Sequence, residues 1–311
     1  MILTVTLNPS IDTTYVLDEL QIDGVNRAVP AKTAGGKGLN VARVLVQLGA
    51  ETTALGLAGG HTGALLLALA QADGIACAFS PVAGETRACV NILHGGNQTE
   101  ILESGPEVSA DELAGFMALF STMVAGADCV AVSGSLPRGV PSFAYARLVT
   151  LAVARGVPVL LDTSGAALEA ALAAPVKPTL IKPNLSEMNA LLGTHHTVDD
   201  LSALRVSLAR DPRFTGVSWV VVTLGAAGAV AFHEGRGYRV EASRIACANA
   251  TGSGDATVAG LAFALAAGMD DEALLRHGIA CGTLNALDAK TGHLALEAWE
   301  RIFAQTVVAP L

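Results

Sequence analysis

The stretch CVAVSGSLPRGVPSFAYARLVTLAVARGVPVLLD, residues Cys129 to Asp162, starts and finishes in a short apolar, β-branched run and carries a longer segment of helical period between them. CVAVSG (Cys129–Gly134) and VPVLLD (Val157–Asp162) read as strands and the connection as a crossover helix, the pattern of a βα unit in a mainly parallel sheet. The same kind of run recurs as ILTVTL (Ile2–Leu7), TALGLA (Thr53–Ala58), TLIKP (Thr179–Pro183) and VSWVVVT (Val217–Thr223). The fold class expected is therefore α/β. Most of these strands finish in Asn, Ser, Asp, Lys or Thr, which matters because open α/β sheets bind ligands outside the carboxyl ends of their strands.

Two stretches break the alternation, TTYVLDELQIDGVNRAVPAKTA (Thr13–Ala34) and ETRACVNILHGGNQTEILESG (Glu85–Gly105). Both read as strands joined by turns, and HGGN between ACVNIL and QTEIL is a hairpin signal because glycine adopts positive φ freely. A small second sheet, from about 13–33 and 86–104, is expected to stand outside the main sheet as a lid, with 1–311 as a single domain.

With 311 residues, 51% of them hydrophobic, the chain can bury a substantial core. Its longest apolar runs, such as VAGLAFALAAGM (Val258–Met269), fall short of the roughly 18 residues that span a bilayer, so no membrane segment is expected. MILTVTLNPSIDTTYV lacks the basic start and cleavage site of a signal peptide and reads as a first strand. Cys77, Cys89, Cys129, Cys247 and Cys281 form no CxxC pair, as in a reducing compartment, so a cytosolic location is expected. A net charge of −9 argues against nucleic acid as a partner, since affinity for a phosphate backbone comes from Lys and Arg. A small anionic ligand stays open, because a few basic residues focused in a cleft can outweigh an acidic exterior. The histidines show no HExxH or paired spacing, which points away from a catalytic transition metal.

NATGSGDATVAG (Asn249–Gly260) runs a glycine-rich turn into an aspartate and then an apolar segment. The N–H groups of Gly252, Ser253 and Gly254 would be free donors of a helix N-terminus, a place that attracts anions. Asp255 then either favours the first helical turn or takes a proton beside a bound phosphate. AGGKGLNVARVLVQLG (Ala34–Gly49) is a second glycine-rich helix start, in which Gly35 and Gly36 allow close approach to a ligand, Lys37 adds a cation and Asn40 lies one turn further on. It lacks the spacing of a Walker A loop. In IKPNLSEMNALLG (Ile181–Gly193), Asn184 and Glu187 have the spacing of a capping box, the stronger reading of the two residues alone, and at a strand's carboxyl edge they could also organise a hydrated Mg²⁺. TLGAAG (Thr223–Gly228) and SGSLPRG (Ser133–Gly139) read as turns, and Asp12 and Arg87 as charges without an assigned role.

Taken together and in this order, the motifs resemble the ribokinase and phosphofructokinase-B family of sugar kinases over essentially the whole chain, AGGKGLNVAR and NATGSGDATVAG being similar to its two signatures. The resemblance implies a ribokinase-like fold, a doubly wound and mainly parallel sheet with a small β-sheet lid. It implies ATP and Mg²⁺ as cofactors and, as reaction, phosphorylation of a ketohexose monophosphate to the bisphosphate. LNPSID, TAGGKGLNV, GETRACVNIL, QTEILESGPE, SGSLPRG and GTLNALDAKTG look most like members acting on D-tagatose 6-phosphate, with D-fructose 1-phosphate second.

Carried over residue by residue, Asp255 matches the family's catalytic base, and Gly252, Ser253 and Gly254 the anion hole for the transferring phosphoryl group. Asp12 matches the grip on the sugar hydroxyls, with Gly35, Gly36 and Asn40 framing the ring. Lys37, Arg87, Arg27 and Ser135 match the site of the phosphate already on the sugar. Lys182, Asn184, Glu187, Thr223, Gly225 and Gly228 match ATP and Mg²⁺ positions, with Glu187 acting on the metal through water, and Asn285 the adenine pocket. A homodimer through the lid is a further expectation. A non-catalytic nucleotide- or sugar-binding protein could keep the glycine turns but has no need of a carboxylate against the anion hole. A dinucleotide oxidoreductase is disfavoured because the first connection, LNPSIDTTY, has no GxGxxG.

Overall fold

The computed structural model describes residues 1–311. The chain forms strands β1 (Ile2–Thr6), β2 (Ser10–Leu17), β3 (Ala31–Gly35), β4 (Thr52–Ala58), β5 (Ala76–Pro81), β6 (Arg87–His94), β7 (Asn97–Leu102), β8 (Cys129–Ser133), β9 (Val159–Asp162), β10 (Leu180–Ile181), β11 (Trp219–Thr223), β12 (Ala229–His233), β13 (Arg236–Glu241) and β14 (Val307–Pro310). Its α-helices are α1 (Lys37–Gln47), α2 (Gly60–Ala72), α3 (Ala110–Met123), α4 (Ala144–Val153), α5 (Gly165–Ala173), α6 (Leu185–Leu192), α7 (Leu201–Arg210), α8 (Ser253–Ala266), α9 (Asp271–Leu287) and α10 (Trp299–Gln305). A ten-stranded sheet has the order β14-β13-β12-β11-β10-β9-β8-β1-β4-β5, and a separate four-stranded sheet the order β3-β2-β6-β7.

The Cys129–Asp162 stretch folds as strand, helix and strand, with β8 and β9 parallel and Ser133 level with Asp162. Alternation along each strand decides which helices cover which face. Val130, Val132 and Leu161 point to the side where Phe116 and Phe120 of α3, Tyr145 and Leu148 of α4 and Leu168 of α5 are buried. Cys129, Ala131 and Leu160 point to the side held by Val41 and Leu45 of α1, Val258 and Leu261 of α8 and Ile279 of α9. Helices cover both faces, the doubly wound α/β architecture expected. Each such buried Leu or Val contributes about 1.5–3 kcal/mol.

From β1 the chain moves to β4 and β5 on one side and then crosses to β8, β9 and β10 on the other. The carboxyl ends of β1 and β8 thus flank the point where winding reverses, where open sheets of this kind leave a crevice. β10 is only Leu180–Ile181, because Pro178 and Pro183 on either side have no N–H to donate to a ladder. TLGAAG turns the chain back into an antiparallel β11–β12 pair, which β13 and β14 extend.

The first arm of the second sheet is wider than the 13–33 expected, while β6 and β7 lie within the expected 86–104. β2 begins at Ser10 and β3 runs through Gly35, because only Leu7–Pro9 separate β1 from β2. Ile11 and Ala34 at its root are buried with Leu39, Leu66 and Ala70, which ties the small sheet to α1 and α2. HGGN makes the β6–β7 turn, with His94 paired to Asn97 and Gly95 and Gly96 at φ 52° and 79°.

Candidate active site

Helix α8 starts at the surface, with Gly254 exposed beside Lys182, and is buried from Asp255 onward. Gly252 is its N-cap at φ 83° and no side chain caps the helix. Of the expected anion-hole donors, the N–H of Ser253 turns back to the Ala250 carbonyl at 3.2 Å, whereas those of Gly252 and Gly254 have no acceptor within the chain. Asp255 follows in the first turn, yet its carboxylate is not a cap. It is 7% exposed and accepts a hydrogen bond of 2.9 Å from Asn40 Nδ2, at the start of α1.

Asp255 has charged neighbours. Asp162, at the end of β9 and 2% exposed, lies 3.2 Å from Lys182 Nζ and 3.5 Å from Lys37 Nζ. Burial, reinforced by the negative charge of Asp162, pushes the Asp255 carboxyl up to about 6, while Lys37, Asn40 and Lys182 pull in the opposite direction. Asp162 also raises the Lys37 ammonium above its ordinary value, so that side chain is a cation at any physiological pH. A carboxylate titrating near neutrality beside unpaired helix donors is suited to accept a proton while an anion is held next to it.

The acceptor side gathers at the carboxyl end of β1. A Cβ on Gly35 would stand 2.1 Å from Asp12 Oδ2, so only glycine lets the Asp12 carboxylate lie against this turn. Ser10 Oγ donates to Asp12 Oδ1 at 2.6 Å, and burial raises the Asp12 carboxyl. Gly36, at φ 105°, is the N-cap of α1. A cavity of about 500 Å³ opens alongside, lined by Lys37, Arg87, Ser135 and a third cation, Arg138. Thr6 Oγ1 and Asn8 Oδ1 lie buried on its wall without hydrogen-bond partners in the chain. Arg87 donates from Nε and Nη2 to the Asn8 carbonyl and from Nη1 to that of Glu103, which leaves two of its five N–H groups free. Arg27 is not in this group: it sits on the exposed β2–β3 connection and does not line the cavity.

On the opposite flank, the capping box legible in the sequence is fully formed. Asn184 N–H donates to Glu187 Oε2 and Glu187 N–H to Asn184 Oδ1, both at 2.9 Å. Thr223 ends β11 beside Asn184. Gly225 and Gly228 shape the following turn with positive φ, and a Cβ on Gly228 would meet the Val240 carbonyl at 2.0 Å. That packing alone demands glycine there. Asn285 is not on a pocket wall: it is fully buried, donating to the Thr251 carbonyl and Ser253 Oγ and accepting from Gly292 N–H. Its amide braces the turn before α8 because an unpaired buried amide would be costly.

Asp162, Arg138 and Arg43 were missed by sequence reasoning. Asp162 had a signal, a polar residue closing an apolar strand. Arg138 is within the SGSLPRG turn and Arg43 within AGGKGLNVAR, but nothing in their spacing tells a loop or helix arginine on a cavity or network from one in water.

A buried carboxylate and unpaired helix donors at the switch point of a doubly wound sheet, with cations on either side, define a small-molecule phosphotransferase. A family model described as pfkB family carbohydrate kinase matches residues 6–298. The chain belongs to that family. It is 33% identical over 100% of its length to 99% of a Staphylococcus aureus protein assigned to the phosphofructokinases, with a TM-score of 0.84. Phosphofructokinase-2 from Escherichia coli in complex with fructose 6-phosphate is 28% identical, with 97% of this chain and 98% of that one covered and a TM-score of 0.86. A Thermotoga maritima protein designated a possible 1-phosphofructokinase is 27% identical, with 100% and 99% covered and a TM-score of 0.89.

Proposed function

We propose that this chain transfers the γ-phosphoryl group of ATP to the free primary hydroxyl of a ketohexose monophosphate, with D-tagatose 6-phosphate preferred and D-fructose 1-phosphate second. The observation that carries the reading is the placement of Asp255, buried beside the α8 start, on the same sheet edge as a cavity holding Lys37, Arg87 and Arg138. Asp255 takes the hydroxyl proton as the oxygen attacks the γ-phosphorus, and the bond to the ADP oxygen breaks. The N–H groups of Gly252 and Gly254 and the ammonium of Lys182 stabilise charge on the phosphoryl oxygens. Asp12 holds sugar hydroxyls. Arg87, Arg138, Lys37 and Ser135 hold the acceptor's own phosphate, a cationic set that an uncharged sugar does not require. Such an enzyme draws on cytosolic ATP.

Tagatose 6-phosphate presents its C1 hydroxyl to Asp255, and the preference rests on the resemblance of GETRACVNIL and GTLNALDAKTG. Fructose 1-phosphate is kept because the two ends of a ketofuranose are nearly symmetric, so a reversed ring brings its C6 hydroxyl to the same base. The test is ATP consumption with tagatose 6-phosphate, fructose 1-phosphate, fructose 6-phosphate and fructose. A clear preference for fructose 1-phosphate overturns the sugar assignment. Preference for free fructose overturns the phosphate pocket.

The donor set fits a hydrated Mg²⁺ bound mainly to nucleotide phosphates. No group of three or more His, Cys, Asp or Glu side chains forms a protein cage, and Glu187 keeps Oε1 out of its capping box. Mg²⁺ needs only one or two carboxylates, and here Glu187 would hold its water while the ion neutralises the ATP phosphates. Glu187→Gln is expected to raise the Mg²⁺ concentration for half-maximal rate several-fold with little loss of Tm, since Gln still closes a capping box. A lowered Tm with unaltered Mg²⁺ dependence would make Glu187 a structural residue alone.

The small sheet is the proposed lid and dimer contact. Val16, Ile22, Val25, Val29, Ile101 and Leu102 expose between 60% and 90% of their surface on its strands and the β2–β3 connection. Pairing of two such sheets would cover this apolar area. Sedimentation at micromolar concentration is expected to give a dimer, and a fully active monomer would remove the idea.

A further inference from the structure

Arg43 lies outside every contact that the reaction described above requires. It is nevertheless 2% exposed, and its guanidinium is hydrogen-bonded on every nitrogen. Nε donates to Asp73 Oδ2 at 2.8 Å, Nη2 to the Ala34 carbonyl at 2.6 Å and Nη1 to Asn40 Oδ1 at 2.9 Å. The other end of the Asn40 amide, Nδ2, is the donor to Asp255 Oδ2. A primary amide offers an acceptor at one end and donors at the other, and in a buried site its neighbours decide which end points where. Arginine cannot accept a hydrogen bond, so Nη1 fixes Oδ1 on its own side and leaves Nδ2 toward Asp255.

The surroundings leave the guanidinium little freedom. A Cβ on Gly292 would stand 2.9 Å from Nη1 and 3.4 Å from Asn40 Oδ1. Gln47 Nε2 donates both to the Arg43 carbonyl and to that of Gly292, pinning the loop over the network. At the far end Asp73, the residue after α2, anchors the charge.

We infer that Arg43 is a positioning residue for the catalytic base: it orients the Asn40 amide so that Asp255 always receives a donor and never faces the amide oxygen. The proposal rests on the reading of Asp255 as the base. The groups facing that carboxylate are Asn40 from α1, Lys37 at the start of the same helix, Asp162 from β9 and Lys182 after β10. Of these, only the Asn40 dipole is under the control of Arg43. With Arg43 gone the amide can turn its oxygen to the carboxylate. That disfavours the charged form, raises the base's pKa and moves the loss of activity on the acid side to higher pH.

The test is the pH profile of kcat/KM for the parent, Arg43→Gln, Asn40→Ala and the double variant. Its acid limb is independent of how much of a sample is folded. Arg43→Gln is expected to shift this limb by about one pH unit to the alkaline side, with roughly tenfold lower rates below the limb, convergence toward the parent above it and an unchanged KM for ATP. Asn40→Ala shifts it the same way, and the double variant adds nothing, as expected for one chain of contacts. Asp73→Asn, at a partly exposed position, loosens the anchor and gives a smaller shift, so the proposal stays testable if Arg43→Gln does not fold. An acid limb that stays in place in every folded Arg43 or Asp73 variant, with only Tm lowered, overturns it. A parent without an acid limb instead overturns the reading of Asp255 itself.

Discussion

Asp255→Asn is expected to lower kcat by about 10²-fold or more, with little change in the KM for ATP, because a positioned general base contributes typically 10²–10⁴-fold. The substitution keeps the volume and the contact with Asn40, so the loss reflects the missing proton acceptor. In the parent, kcat/KM should fall with pH through a limb near 6, the value to which burial and Asp162 raise this carboxyl. Stability moves the other way. A carboxylate whose pKa is higher in the folded state than in the unfolded chain favours folding fully only below its unfolded value, and the benefit is lost as pH rises through about 6. At pH 8 the ionised Asp255 therefore costs on the order of 2–3 kcal/mol of stability, and the Asn variant should melt at a higher temperature than the parent. A helix-start aspartate that merely favoured its own helix would give the opposite pair of results. Near-parental turnover together with a lower Tm would return Asp255 to that ordinary role.

Removing both guanidinium groups from the cavity, as Arg87→Ala with Arg138→Ala, should reduce kcat/KM for the phosphorylated ketose by at least about 10²-fold. Each charge-assisted hydrogen bond to a phosphate contributes roughly 1.5–3 kcal/mol, and two such losses compound. The same variant should act on the unphosphorylated ketose within a few-fold of the parent rate, because Asp12, Asn40 and Asp255 are untouched. That control matters, since Arg87 also ties the Asn8 and Glu103 carbonyls together. Equal losses on both substrates would mean that the two arginines hold the crevice in shape and read no phosphate. Losses for Arg87 alone, with Arg138→Ala silent, would confine the anion site to the β1 side of the cavity.

The sequence alone shows the α/β class, since apolar runs alternating with helical periods leave few ways to bury both faces of a sheet. It also determined the β6–β7 hairpin, the capping box of Asn184 and Glu187, and the glycine-rich starts of α1 and α8, because each is a local pattern whose chemistry lies within a few residues. Asp255 was visible as a carboxylate at a helix start. That its partner is Asn40 was not, for their contact joins helices far apart in the chain.

Which charges surround the site, and which polar groups are buried there, follows from contacts between segments far apart in the chain. Asp162 ends one strand among several with polar ends, and only the parallel register of β8, β9 and β10 sets it between Lys37 and Lys182. Arg138 joins Arg87 at the cavity while Arg27, equally basic in sequence, remains in solvent. Asn285 resembles a ligand-binding residue in sequence and becomes an internal brace because α9 buries it completely. Periodicity and turn chemistry act over a few residues and can be read along a chain, whereas desolvation and charge pairing depend on which distant segments close over a group, and no spacing in the sequence encodes that.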